Sequence, residues 1–319
     1  MVPDLGKLAS TTGPLEPVHV PAGTVSRQGN AGLNQEPVVV ATEPIILGSS
    51  WLATWRLVTY ASLTFALMPL QLILVLLRSR LAERLPVFYH RLCCRILGFD
   101  VVTVGEISRT RPTLFVSNHT SYLDIPVLGA TLPVSFVAKA EVANWPVFGW
   151  LAKLQRTVFV DRKRGTTHRQ RDGLQARLDA GDNLILFPEG TSNDGNRVLP
   201  FRSALLSVAE RQTAGRPLVV QPVSVSYTAL NGIPLGHSLR PLLAWYGDMT
   251  LGGHLWQFCR LGRVRVVVEF HPPTTIGAFP SRKELTRHCF GLVANGVSRA
   301  LAGQTGQPRV LTAKTDKKH

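Results

Sequence analysis

Cysteine is scarce and badly placed for cross-linking. Cys93, Cys94, Cys259 and Cys289 are the only four in 319 residues. Two are adjacent and none sits in a CxxC pair, which argues against a disulfide framework or a zinc site and for a reducing compartment. Negative charge is short as well: 20 Asp plus Glu face 35 Lys plus Arg, a formal net charge of +15. Such an excess points to an anionic partner, whether nucleic acid, a membrane surface or a phosphorylated substrate. No GxSxG elbow and no internal repeat is present. No charged start leads into an early apolar core, so a secretory signal is not expected.

What is present comes in four segments. Residues 1–50 are rich in Pro, Gly, Thr and Val without a sustained apolar period, and read as a flexible tail. Residues 51–84 hold a hydrophobic membrane helix, 85–301 an α/β domain, and 302–319 a polar, basic, disordered tail. Within the second segment, residues 57–77 carry no formal charge and are bounded by Arg56 and Arg78. At about 1.5 Å per residue this stretch reaches roughly 30 Å, a bilayer core. Pro69 and Gln71 interrupt it, so both a kinked span and a dip into one leaflet fit. Basic residues crowd its downstream flank (Arg78, Arg80, Arg84, Arg91, Arg95), which puts the C-terminal domain on the cytoplasmic side of a membrane if the segment spans.

Beyond the helix the pattern alternates. Short β-rich runs fall at 101–104, 113–117, 134–138, 157–160, 184–187, 218–226 and 264–270, with helical stretches at 166–180, 202–212 and 282–301. Strands alternating with helices predict an α/β fold: a mixed, largely parallel sheet flanked by helices and preceded by the hydrophobic, membrane-associating helix.

Two strand ends carry polar turns. After the buried run 113–117 come Asn118, His119 and, five residues past the histidine, Asp124. On one regular helix those two side chains would point about 140° apart, since each residue turns about 100°. They meet only if the chain bends between them, as a strand-to-helix turn does. A carboxylate on His Nδ1–H fixes the tautomer and leaves Nε2 free as a base. Taken alone, such a spacing is more often a loop histidine and a helix cap. The second turn, Phe187-Pro188-Glu189-Gly190-Thr191, follows the strand 184–187. Gly190 permits a positive φ, and neighbouring N–H groups suit an anionic oxygen. The run Val158-Phe159-Val160-Asp161-Arg162 ends a further strand in cations.

Together these pieces resemble the lysophospholipid (1-acylglycerol-3-phosphate) acyltransferase family. Its N-H-x4-D motif stands as Asn118, His119 and Asp124; its F-[IV]-D-R as Phe159-Val160-Asp161-Arg162, with Arg156 where a Gly is usual. F-P-E-G-T stands as 187–191, with Ser192 where Arg is expected, and V-x-P-V as Val220-Gln221-Pro222-Val223. The resemblance covers roughly residues 85–275. It implies His119 and Asp124 as catalytic residues and Asn118, Arg162, Glu189, Gly190 and Thr191 as substrate-binding, with no metal and no cofactor. The co-substrate would be an acyl carrier protein or CoA thioester, the acceptor a lysolipid hydroxyl, and the partner a lipid bilayer. Ser192 cannot replace a bidentate cation for phosphate. With the segments Pro86–Arg91 and Trp245–Met249, it looks more like bacterial lyso-ornithine-lipid O-acyltransferases, with lysophosphatidate the rival acceptor. A nucleic-acid module would be as basic, but would explain neither the charge-free helix nor the His-Asp turn. A serine-type hydrolase using Ser117 or Ser121 is the more distant alternative.

Overall fold

A computed structural model describes residues 48–160, 167–213 and 215–304. Two helices lead: α1 (Ser50–Leu76) and α2 (Leu81–Leu97). Then come β1 (Phe99–Gly105), β2 (Thr113–Ser117), α3 (Asp124–Thr131), β3 (Ser135–Lys139), α4 (Phe148–Leu154), β4 (Val158–Val160), α5 (Thr167–Asp179) and β5 (Leu184–Leu186). The long β6 (Val219–Leu230), α6 (Leu251–Arg260), β7 (Val264–Phe270) and α7 (Arg282–Leu301) complete the chain.

The strands lie in the order β1-β7-β6-β2-β5-β3-β4. Within this order the β7–β6 pairing is antiparallel and the other neighbours run parallel. The mixed, largely parallel sheet expected from the sequence is what forms. Alternation along each strand feeds two cores. Phe115 and Ile185 join the core that also holds Leu128 of α3 and Phe258 of α6. Leu114, Val116, Leu184 and Leu186 face the other core, with Leu178 of α5 and Leu285 of α7. β2 and β5 are adjacent and central, covered on both faces, so their C-terminal ends open side by side at one edge of the core.

Helix α1 inverts the usual amphipathic pattern. Its buried residues are Ala53, Arg56, Thr64 and Gln71, whereas Trp51, Trp55, Val58, Phe65, Leu70, Leu72, Ile73 and Leu76 are exposed. Arg56, which bounds the charge-free stretch in the sequence, does not lie outside the helix. Arg56 lies inside α1 and is buried, donating from Nη1 to the Cys259 and Leu261 carbonyls (3.3 and 2.7 Å) and from Nη2 to Gly262 O (3.3 Å). At the other end, Gln71 Nε2 donates to Ala82 O and Leu154 O, both at 3.0 Å. Thr64 meets the Tyr89 hydroxyl at 2.9 Å in between. These contacts fix α1 along its length to the domain and leave an apolar outer face.

Three other expectations change. The 84/85 boundary falls inside α2, which is one uninterrupted helix whose Ala82, Pro86, His90, Cys93 and Cys94 are buried. The stretch 202–212 forms a 3-10 helix, Ser203–Glu210, not an α-helix; it is short, and Arg202 N–H ties its start to Pro188 O at 2.9 Å. Helices α4 and α6, unmarked by any long apolar period, were not anticipated. Arg162 and the basic residues next to it lie outside the described residues, as do the tails 1–47 and 305–319.

Because Arg56 is the only charged group pinning α1 to the end of α6 among these contacts, Arg56→Leu should lower stability in detergent by about 2–3 kcal/mol, leaving three carbonyls unpaired. Val58→Ala on the exposed face should cost under about 0.5 kcal/mol. Equal melting shifts for the two variants would contradict this account of α1.

Candidate active site

The β2 strand does not stop at Ser117; a side chain continues it. Asn118 Oδ1 accepts from Val225 N–H at 2.8 Å and its Nδ2 donates to Val225 O at 2.9 Å, so one amide replaces a backbone pair on β6. Asn118, expected to bind substrate, is buried and spends one amide N–H and one oxygen lone pair on this clamp. The clamp ends the strand at a defined point and turns the chain toward α3.

His119 follows, with its side chain 24% exposed. Its Nδ1 lies 2.8 Å from Asp124 Oδ2, and the same oxygen accepts from the Thr120 and Ser121 N–H groups at 2.8 and 3.0 Å. Asp124 opens α3 and is 0% exposed. The strand-to-helix turn thus brings together the pair that a regular helix would separate. Since a carboxylate only accepts, Nδ1 carries the proton and Nε2 presents a lone pair. The imidazole stacks on Phe187, with ring centres 4.2 Å apart and planes 21° apart, which fixes its face.

Glu189, expected to bind substrate, holds the turns together in this structure. It is 2% exposed; Oε1 accepts from the His119 backbone N–H (2.7 Å), and Oε2 from Asn193 Nδ2 (2.7 Å) and Leu199 N–H (2.8 Å). It is a brace binding the β2 and β5 turns to each other, with both oxygens occupied. Burial pushes its carboxyl up to about 7 against the pull of those N–H donors. Gly190 has φ +73, as anticipated, but its N–H donates to Phe187 O at 3.1 Å and is not available to an anionic oxygen. Thr191 is exposed at the same turn, and its N–H has no partner among the described residues.

Ser117 and Ser121 are both fully buried. Ser121 Oγ accepts from Leu123 N–H at 3.4 Å, and neither hydroxyl bonds His119, so neither of these two serines stands as its nucleophile.

A family model described as Acyltransferase matches residues 99–226. The lyso-ornithine lipid O-acyltransferase of Brucella abortus is 44% identical over 247 residues, covering 76% of this chain and 92% of that protein. The chain belongs to the lysophospholipid acyltransferase family. The enzyme of the same name from Rhizobium meliloti is 39% identical over 247 residues, covering 76% and 84%. The crystal structure of the 1-acyl-sn-glycerophosphate acyltransferase PlsC from Thermotoga maritima shares the fold. Its TM-score is 0.58 at 22% identity, over 78% of this chain and 96% of that one. The protein is therefore a membrane-associated acyltransferase of a lysolipid acceptor and an acyl donor.

Two features of this acyltransferase carried no sequence signal. The first is an apolar cavity of about 220 Å³ beginning at Tyr122 and Leu123, on the catalytic loop, and running between α1, α2 and α4 past Met68, Tyr89, Phe136 and Leu151. The second is the role of Ser192. Its hydroxyl donates to Trp245 O, while Trp245 N–H donates to Thr120 O at 3.1 Å. Ser192 so ties the 245 loop onto the catalytic loop, where Trp245 packs edge-on against Tyr122 and Trp145.

The raised Glu189 carboxyl has a pH signature. Between its ordinary value near 4.5 and about 7 the folded chain holds a proton that the unfolded chain has lost. Its contribution is full below about 4.5 and is lost as pH rises through about 7. The stability of wild type relative to Glu189→Gln should therefore decline across that window in parallel melting curves. A difference independent of pH would contradict the brace as described.

Proposed function

We propose that this acyltransferase moves a fatty acyl chain from a thioester donor, acyl carrier protein or CoA, to the hydroxyl of lyso-ornithine lipid. The observation that carries the reading is His119, with Nδ1 held by Asp124 and Nε2 free, on the loop whose Tyr122 and Leu123 line an apolar cavity. The acceptor oxygen attacks the thioester carbonyl carbon while its proton passes to Nε2. The imidazolium pairs with Asp124. Collapse breaks the C–S bond, and the proton moves from Nε2 to the leaving sulfur, so the enzyme ends unchanged and the chemistry uses no metal or bound cofactor. The Thr191 N–H, without a partner among the described residues, would meet the transient oxyanion. The apolar cavity suits an acyl chain, since its wall offers contact and almost no polar groups.

The acceptor assignment is supported by the names of the Brucella and Rhizobium relatives and by Ser192. Where the family pattern expects a guanidinium for phosphate, the position holds a hydroxyl already bonded to Trp245 O. The exposed Trp, Phe, Leu and Ile side chains of α1 would enter one leaflet of the inner membrane from the cytoplasmic side. The exposed Arg78, Arg80, Arg84, Arg91 and Arg95 would meet its headgroups.

Purified full-length protein in detergent, given lyso-ornithine lipid or lysophosphatidate with each donor, tests the proposal. The expected result is faster transfer to the aminolipid by about tenfold or more, the scale of one missing charge-assisted contact to phosphate. A preference for lysophosphatidate of that size would overturn the acceptor assignment.

A further inference from the structure

Asp124 has two oxygens, and the catalytic loop accounts for only one. Oδ2 takes His119 Nδ1–H and two backbone N–H groups. Oδ1 takes a single donor, the phenol of Tyr227, at 2.8 Å. That tyrosine stands on β6, 103 residues further along the chain and two past Val225, whose backbone clamps Asn118. We propose that Tyr227 is the third member of the catalytic relay, a positioning residue that sets how strongly Asp124 orients and stabilises the His119 imidazole. The inference rests on the His119–Asp124 reading above and adds to it a residue outside every motif.

Its ring is held by packing. Phe99 packs against it at 6.3 Å between ring centres, and Phe258 stacks on Phe99 at 5.2 Å. Tyr227 is buried, so packing fixes the hydroxyl's direction and no water competes for the bond. Burial and the adjoining carboxylate push the phenol well above its ordinary range, which keeps it protonated and a donor. The other titratable groups bearing on it are Cys94 of α2 and Tyr122 of the catalytic loop, both pushed up by burial and so neutral. Among the described residues, Asp124 is then the charge Tyr227 meets, and Tyr227 the side-chain donor on Oδ1.

The physical consequence has a sign. A donor on Oδ1 draws charge away from Oδ2, weakening the carboxylate's stabilisation of the imidazolium while holding its plane in line with Nδ1. During transfer the acceptor's proton resides on Nε2 and then leaves with the thiol; Tyr227 keeps its own proton throughout. Losing the phenol should free Asp124 to tilt and to hold the imidazolium more tightly, which slows proton release and shifts the base to higher pH.

Tyr227→Phe keeps the ring and removes only the hydroxyl. The expected result is kcat about 3- to 10-fold lower, the scale of one net hydrogen bond, with KM for the lysolipid unchanged. The ascending limb of kcat against pH should move up by about 0.5. Site-specific 3-fluorotyrosine at 227, a stronger donor in the same place, should move that limb the opposite way, and it preserves the fold if the Phe variant does not. Packing alone produces a lower Tm without opposed shifts. Opposed shifts support the relay; an unmoved limb in both, or unchanged kcat in the Phe variant, overturns it. Wild-type protein that acylates no lysolipid would instead overturn the reading on which this inference rests.

Discussion

A carboxylate removed from water must be met by donors, and most of the catalytic end of this molecule follows from meeting two of them. Asp124 gathers His119, the Thr120 and Ser121 N–H groups and the Tyr227 phenol. Glu189 gathers the His119 backbone, Asn193 and Leu199. One carboxylate therefore shapes the turn after β2, and the other fastens that turn to the one after β5. Each N–H group has a partner it would otherwise lack at a strand end, and each oxygen has the donors its burial demands. His119 is caught between the two, its side chain by Asp124 and its main chain by Glu189. The base is positioned by polar accounting in the turns, and the sheet supplies only the two neighbouring strand ends.

The membrane face follows from the opposite rule. On α1 the polar residues point inward, where Arg56, Thr64 and Gln71 find carbonyl and hydroxyl partners, and the large apolar residues point out. In water this arrangement exposes apolar surface; against lipid it satisfies both solvents. The apolar cavity opens between this helix, α2 and α4 and reaches the catalytic loop.

The sheet was largely legible in the sequence because a buried strand leaves a short β-branched run, and those runs match β1 to β7 closely. His119 and Asp124 were legible because the spacing of five is incompatible with one helix and compatible with a strand-to-helix turn. What the sequence hid was which atoms the polar groups would find. Asn118 and Glu189 look like substrate ligands when read as residue types, yet their partners lie 107 and 10 residues away along the chain, on Val225 and Leu199. Tyr227 was invisible for the same reason: in a strand of buried residues nothing marks the one whose hydroxyl meets an aspartate. Arg56 appeared to be a flanking charge because its partners are backbone carbonyls 203 to 206 residues on. Local pattern announces elements and turns; long-range hydrogen bonding assigns roles within them.

The central claim is that His119 Nε2 removes the acceptor proton. Single-turnover acyl transfer by His119→Ala, in protein whose melting and membrane binding match wild type, tests it most directly. The account predicts a rate lower by about 10² to 10⁴, the contribution of a lost general base. Transfer at nearly the wild-type rate in that preparation would contradict it.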